Sequence, residues 1–129
     1  MTGSKQALTA SNIKYLLVLN DLCPDNSGVR CVRIAEALGI TKPSVHTMIN
    51  TLKGMGIVRK DLYGAVFFTD KGLKLSKRYS EYFKLIGSYF SRFLPNASDA
   101  RSAACAIMAE LPEESLTVFC DRCKSIDYT

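Results

Sequence analysis

The sequence predicts a mostly α protein: a winged helix-turn-helix with a β-hairpin wing, followed by a helical dimerisation region. Three observations predict it. Apolar residues recur at helical spacing from residue 11 to about 55, then give way to two β-rich runs, IVRK and AVFFT, around Asp61-Leu62-Tyr63-Gly64. Ala35, Gly39 and Val45 stand at offsets typical of a helix-turn-helix: a small residue where two helices cross, a glycine for the turn, and an apolar plug. Beyond residue 70 the helical period returns and persists almost to the end. These readings divide the chain into a DNA-binding domain at 1–75 and a dimerisation region at 76–129.

The elements follow in order. A first helix is expected over 11–22, with Ile13, Leu16, Leu17 and Leu19 or Asn20 tracing one face. CPDNSG (23–28) ends it, because Pro24, Asn26 and Gly28 are turn residues. A short second helix covers 32–38, and Gly39 supplies a left-handed stop. Thr41 then caps a third helix reaching about Met55, with Pro43 in its first turn and Val45, Met48, Ile49, Leu52 and Met55 as its apolar stripe. After Gly54 and Gly56 comes the hairpin of 57–69. A long helix, capped near Thr69 or Asp70, is expected to reach about Leu94. Its side of Leu75, Tyr79, Tyr82, Phe83, Ile86, Phe90 and Phe93 is broad enough to call for a partner helix or a second subunit. Pro95-Asn96 ends it. Two more helices are expected over 98–110 and 112–125, the last with Glu113 and Glu114 in its first turn.

Composition bounds the function. With 129 residues, 47% hydrophobic and 22% charged, the chain suits a folded domain. No apolar run approaches the roughly 18 residues a membrane span needs, and MTGSKQALTAS contains no signal-peptide core, so a cytoplasmic location is expected. The net charge of +5 is uneven: residues 30–78 carry ten Lys and Arg against three Asp and Glu, whereas 95–129 carry three against six. A basic middle points to a polyanion. No Gly-rich phosphate loop, catalytic carboxylate pair or Cys/His dyad stands at recognisable spacing, so no enzyme is expected. The five cysteines, Cys23, Cys31, Cys105, Cys120 and Cys123, are odd in number and scattered, against a disulfide framework.

The third helix turns Ser44, His46, Thr47, Asn50 and Thr51 outward where a plain solvated helix would show Glu and Lys. In a helix-turn-helix the second helix enters the major groove with its N-terminal residues on base edges. Thr41, Lys42, Ser44, His46, Thr47 and Asn50 are therefore the candidate readers, since hydroxyl, amide and imidazole groups match base edges that carboxylates would repel. Arg59, Lys60 and Tyr63 on the wing, with Arg30 and Arg33, are candidates beside the phosphate backbone. The partner implied is double-stranded DNA, with a protein-interaction module as the alternative. C-D-R-C at 120–123 raises a second possibility: Cys120 and Cys123, with Cys105, holding Zn²⁺ or sensing oxidation. Leu116, Phe119, Cys120 and Cys123 also form an apolar stripe at i, i+3, i+4 and i+7, and ordinary packing carries more weight.

The stretch RIAEALGITKPSVHTMINTLKGMGIVRKDLYGAVFFTDKGLKL (33–75) resembles the diphtheria-toxin-repressor and manganese-transport-regulator family. The shared pattern is IAEALGI, then PSV, then L-x-x-x-G-x-V, YG and T-x-K-G. A weaker likeness extends to AACAIMAELPEES in the family's dimerisation region, and the C-terminal accessory domain of some members is expected to be absent. The resemblance implies a homodimeric, metal-responsive repressor holding Mn²⁺ or Fe²⁺ between the first helix and the dimerisation helices. At its ligand positions stand Ser11 and Lys14, Phe83, a further acidic position at Gly87, then Cys105, Met108 and Ala109. Of these, Cys105 alone matches a family ligand. Mn²⁺ and Fe²⁺ want oxygen and nitrogen donors, so the usual site is expected to be lost and no cofactor is expected.

Overall fold

Among the described residues, nine regular elements alternate short helices and strands, then give way to helices alone. A computed structural model describes residues 8–127, with side chains through residue 125. The order is α1 (Ala10–Leu22), β1 (Val29–Arg30), α2 (Cys31–Leu38), α3 (Lys42–Gly54), β2 (Val58–Lys60), β3 (Ala65–Phe68), α4 (Asp70–Ser91), α5 (Ala97–Glu110) and α6 (Glu113–Asp127). The fold is the expected one, a winged helix followed by helices. Two compact units divide it: residues 15–77 form one, and the chain up to Lys14 groups with residues from Arg78 onward. Both boundaries fall inside helices, α1 and α4.

Within the first unit, the core is built from α2, α3 and the sheet. Ile34 and Ala35 of α2, Val45, Ile49 and Leu52 of α3, and Ile57, Val58, Val66 and Phe68 of the wing are all buried. Ala35 and Gly39 act as their spacing requires. Ala35 is buried on α2, which packs against α3, and Gly39 adopts φ 68 while its N–H donates to the Ala35 carbonyl. Thr41 caps α3, its Oγ1 accepting from the Ser44 N–H at 3.3 Å.

The sheet has an element that sequence patterning did not foresee. Val29–Arg30 pairs antiparallel with β3, so the order is β1-β3-β2. A two-residue strand has no alternation to read. The hairpin proper pairs Val58 with Phe68 and Lys60 with Val66. Its tip is a tight turn in which the Gly64 N–H donates to the Asp61 carbonyl at 3.2 Å, with Gly64 at φ 84. Asp61 holds that tip, its Oδ1 accepting from the Tyr63 and Ala65 N–H groups, both at 2.9 Å.

Helix ends differ from expectation by small, explicable amounts. At α1 a reciprocal capping box closes the start: Asn12 Oδ1 accepts from Thr9 N and Thr9 Oγ1 from Asn12 N, both at 3.0 Å. α1 is also buried on almost every side, from Ile13 through Leu19 except for Lys14, rather than along one face. α4 stops at Ser91, three residues short of the expected end, because Arg92 and Phe93 bond three residues back, to Tyr89 and Phe90, and the last turn tightens. Asn96 caps α5, accepting from Ser98 and Asp99.

In the second unit the aromatic side of α4 finds much of its cover. Tyr79 and Ile86 are buried, Tyr79 meets Tyr82 edge-on at 5.4 Å, and Tyr89 meets Phe119 of α6 at 6.3 Å. Arg78 bonds Glu113 at 2.7 Å, tying α4 to the start of α6. Ala104, Cys105 and Met108 of α5 and Leu116, Cys120 and Cys123 of α6 complete this core. No described helix is long and apolar enough to cross a membrane.

Candidate nucleic-acid interface

The N-terminal half of α3 is shaped by burial beneath it. Val45, Ile49 and Leu52 take the inward positions, which leaves Lys42, Ser44, Thr47, Asn50 and Thr51 exposed and His46 half-buried at the edge. Their hydrogen bonds sort these groups by what each can still offer. Thr41 and Ser44 form a pair, Thr41 Oγ1 donating to Ser44 Oγ at 2.9 Å, so the Ser44 hydroxyl hydrogen remains available. Thr47 donates back to the Pro43 carbonyl at 3.0 Å, leaving its oxygen as an acceptor and its methyl outward. Asn50 is exposed and offers both amide donor and acceptor.

The wing lies in the same unit. Arg59 and Lys60 alternate across β2, so they leave opposite faces of the sheet. Arg59 is exposed and stacks on Phe67, its cross-strand partner, with the guanidinium carbon 4.5 Å from the ring centroid. Lys60 leaves on the side of buried Val58, towards α3, and its Nζ lies 3.4 Å from His46 Nδ1. Arg30 donates to the Tyr63 carbonyl at 2.8 Å, so a cation is fixed at the wing base. Arg33 is exposed on α2. Sequence reasoning passed over Leu62, which is 97% exposed at the wing tip beside Tyr63 at 76%. Its signal was available: an apolar residue at the tip of a basic hairpin.

The family's metal positions fall in the second unit, where the donor set does not fit Mn²⁺ or Fe²⁺. Ser11 is exposed, Lys14, Phe83 and Ala109 are half-buried, and Gly87, Cys105 and Met108 are buried. Lys14 and Arg101 lie close enough to Cys105 to favour its thiolate, yet burial outweighs them and pushes the thiol above its ordinary value. Arg101 also sits 5.4 Å from the centre of the Phe83 ring. A cleft of about 280 Å³ beside these residues, lined by Phe83, Lys84, Gly87, Ser88 and Arg101 among others, offers cations and hydroxyls rather than carboxylates. Among the described residues, no three His, Cys, Asp or Glu side chains gather as metal ligands would. Cys120 and Cys123 are buried neighbours on α6, and burial, then Cys123 and Asp121, push the Cys120 thiol up.

Comparison with known proteins agrees with this geometry. The IclR helix-turn-helix domain matches residues 14–62. Transcriptional regulator MntR of Escherichia coli O6:H1 is 27% identical over 105 residues, 81% of this chain and 68% of the relative. MntR of Salmonella typhimurium is 25% identical over the same length, 67% of the relative. Among solved structures, the manganese regulator SloR superposes with a TM-score of 0.69 at 21% identity, over 97% of this chain and 56% of that one. IdeR of T. acidophilum gives 0.64 at 19%, over 92% and 55%. The chain thus spans about two thirds of the MntR relatives and just over half of those two structures. The helix-turn-helix, its wing and the following helices define a DNA-binding transcriptional regulator. More particularly, the chain is similar in sequence to transcriptional regulators named MntR and shares the fold of the manganese regulator SloR and of IdeR.

Proposed function

We propose that this regulator is a repressor that binds a palindromic operator as a homodimer, without the family's usual metal switch. One observation carries the DNA half of this reading. Lys42, Ser44, Thr47 and Asn50 on α3, and Arg59 and Tyr63 on the wing, are exposed within a single compact unit whose buried side chains are almost all apolar. Bases would be read by Lys42, Ser44, His46, Thr47 and Asn50. Arg30, Arg33, Arg59 and Lys60 would set the register on phosphates, contributing affinity without sequence information. Two copies of α3 would enter successive major grooves, so half-sites should lie one helical turn, about 34–36 Å, or a multiple apart.

Metal independence is supported by chemistry at the family's ligand positions. An ammonium at Lys14 and a guanidinium at Arg101 face Cys105, and Phe83 donates nothing. Any cation placed there would meet two like charges. The test is operator selection from genomic fragments, followed by mobility-shift assays in EDTA and in Mn²⁺ or Fe²⁺. Binding that survives EDTA is expected. A complex that EDTA abolishes and Mn²⁺ restores would overturn the proposal.

A further inference from the structure

A polar contact between α3 and the wing joins Lys60 Nζ to His46 Nδ1 at 3.4 Å. Its chemistry has one solution. A lysine ammonium carries three donors and no acceptor, while a neutral imidazole has one nitrogen that donates and one that accepts. The nitrogen facing Lys60 must therefore be the acceptor, and the proton must sit on Nε2. The surroundings reinforce this. Arg59 leaves the opposite face of β2 to stack on Phe67, one Arg30 N–H donates to the Tyr63 carbonyl, and Asp61 Oδ1 accepts from the turn N–H groups. Among the described residues, no protein group hydrogen-bonds His46 Nε2.

We propose that Lys60 fixes the tautomer of His46, so that His46 reads its base as a donor and the wing thereby sets part of the helix's sequence preference. An Nε2–H matches the acceptors of the major-groove edge: guanine N7 and O6, adenine N7 or thymine O4. It meets the N4 amino donor of cytosine with two hydrogens facing each other. Guanine, with two acceptors side by side, is the preferred partner and cytosine the excluded one. Lys60 is thus a positioning residue, acting on DNA sequence through His46. This inference rests on the operator-binding reading above and deepens it.

The chain contains one histidine, so the test needs no assignment. Long-range ¹⁵N–¹H spectra of the free protein in mildly alkaline buffer report the tautomer directly. The Nε2–H form should dominate in the wild type, Lys60→Met should give a mixture, and Lys60→Gln, whose amide still donates, should restore it. Selection from a randomised duplex pool supplies the second readout. One position should be depleted in cytosine by roughly tenfold. That depletion should vanish in His46→Ala, relax in Lys60→Met and return in Lys60→Gln, while overall affinity falls alike in both Lys60 variants through loss of charge. An Nδ1–H tautomer, or a tautomer ratio unmoved by Lys60→Met, overturns the proposal. So does a fixed Nε2–H with DNA binding but no cytosine depletion, which leaves the regulator reading intact. If no duplex is retained at all, the operator reading falls and the base preference with it. The spectra then still decide whether Lys60 holds the tautomer.

Discussion

Asn26 occupies φ 56, a left-handed conformation that costs an ordinary residue roughly 1–2 kcal/mol. It is held there because its side chain mimics a strand. Oδ1 accepts from the Phe68 N–H at 2.9 Å, and Nδ2 donates to the Phe68 carbonyl at 3.2 Å. Asn26→Ala should lose both bonds and add strain, for about 3 kcal/mol in all, whereas Asn26→Gly should relieve the strain and cost about 2 kcal/mol. Urea unfolding distinguishes the two, and equal losses under about 0.5 kcal/mol would sink this account. A turn at 23–28 was legible from composition, but a bond spanning 42 residues was not, because nothing local in the sequence records the partner. The cysteines illustrate the same limit. Burial holds the Cys105 and Cys120 thiols above their ordinary 9.0, so the folded chain keeps those protons more tightly than the unfolded one. Stability from this source is whole below about pH 9 and is lost as the pH rises past it. Native Cys105 should accordingly resist iodoacetamide until urea exposes it, as mass spectrometry of the alkylated protein would show. Rapid native alkylation would instead favour a thiol sensor.

At the scale of elements, the passage from wing to α4 shows what T-x-K-G does. Thr69 Oγ1 bonds the Gly56 carbonyl at 2.6 Å and accepts from the Gly72 N–H at 3.1 Å, while Lys71 Nζ reaches the Met55 carbonyl at 2.8 Å. These residues clamp the end of α3 to the start of α4. A Cβ at Gly72 would run into the Ile57 carbonyl oxygen, with Phe68 close behind. Helix propensity favours alanine over glycine by about 1 kcal/mol, but a collision with fixed backbone costs roughly 1–3 kcal/mol or more. The clash should win, so Gly72→Ala is expected to lower stability by about 2 kcal/mol. Gly54, with no atom within 4 Å of its would-be Cβ, is the internal control. Gly54→Ala should be neutral or stabilising by up to about 1 kcal/mol in the same thermal melts. The helices, the turn at Gly39 and the hairpin were readable because period and turn chemistry are local. β1 was not, since two residues carry no period, and neither was the early stop of α4, which its final tight turn decides.

For the whole molecule, the proposed homodimer raises the question of how two reading heads would be held at a fixed spacing. The second unit keeps apolar surface uncovered: Phe93 is 66% exposed and Val118 56%. Beside Val118 lies an apolar cleft of about 420 Å³ bordered by Tyr89, Leu111, Phe119 and Cys123. The breadth of the aromatic α4 side was legible in sequence, but which of its residues find cover within the chain was not. Tyr79 and Ile86 do, and Phe93 does not. On the proposed homodimer reading this patch is the expected self-association surface, because binding two half-sites through one dimer would multiply affinity by effective concentration. Val118→Arg places a cation on that surface without touching the reading face, and the protein should sediment as a monomer. Its affinity for a full palindrome should fall by roughly 10²-fold or more, towards that for a single half-site, while half-site affinity stays unchanged. Lys42→Ala with Arg59→Ala should behave in the opposite way. The dimer would persist, both affinities would drop, and the slope of log affinity against log salt should flatten by about 1 for each phosphate no longer neutralised. The two variants thus separate assembly from recognition. A Val118→Arg protein that remains dimeric would move the interface elsewhere. A salt slope unchanged by the double variant would remove these two cations from the DNA interface.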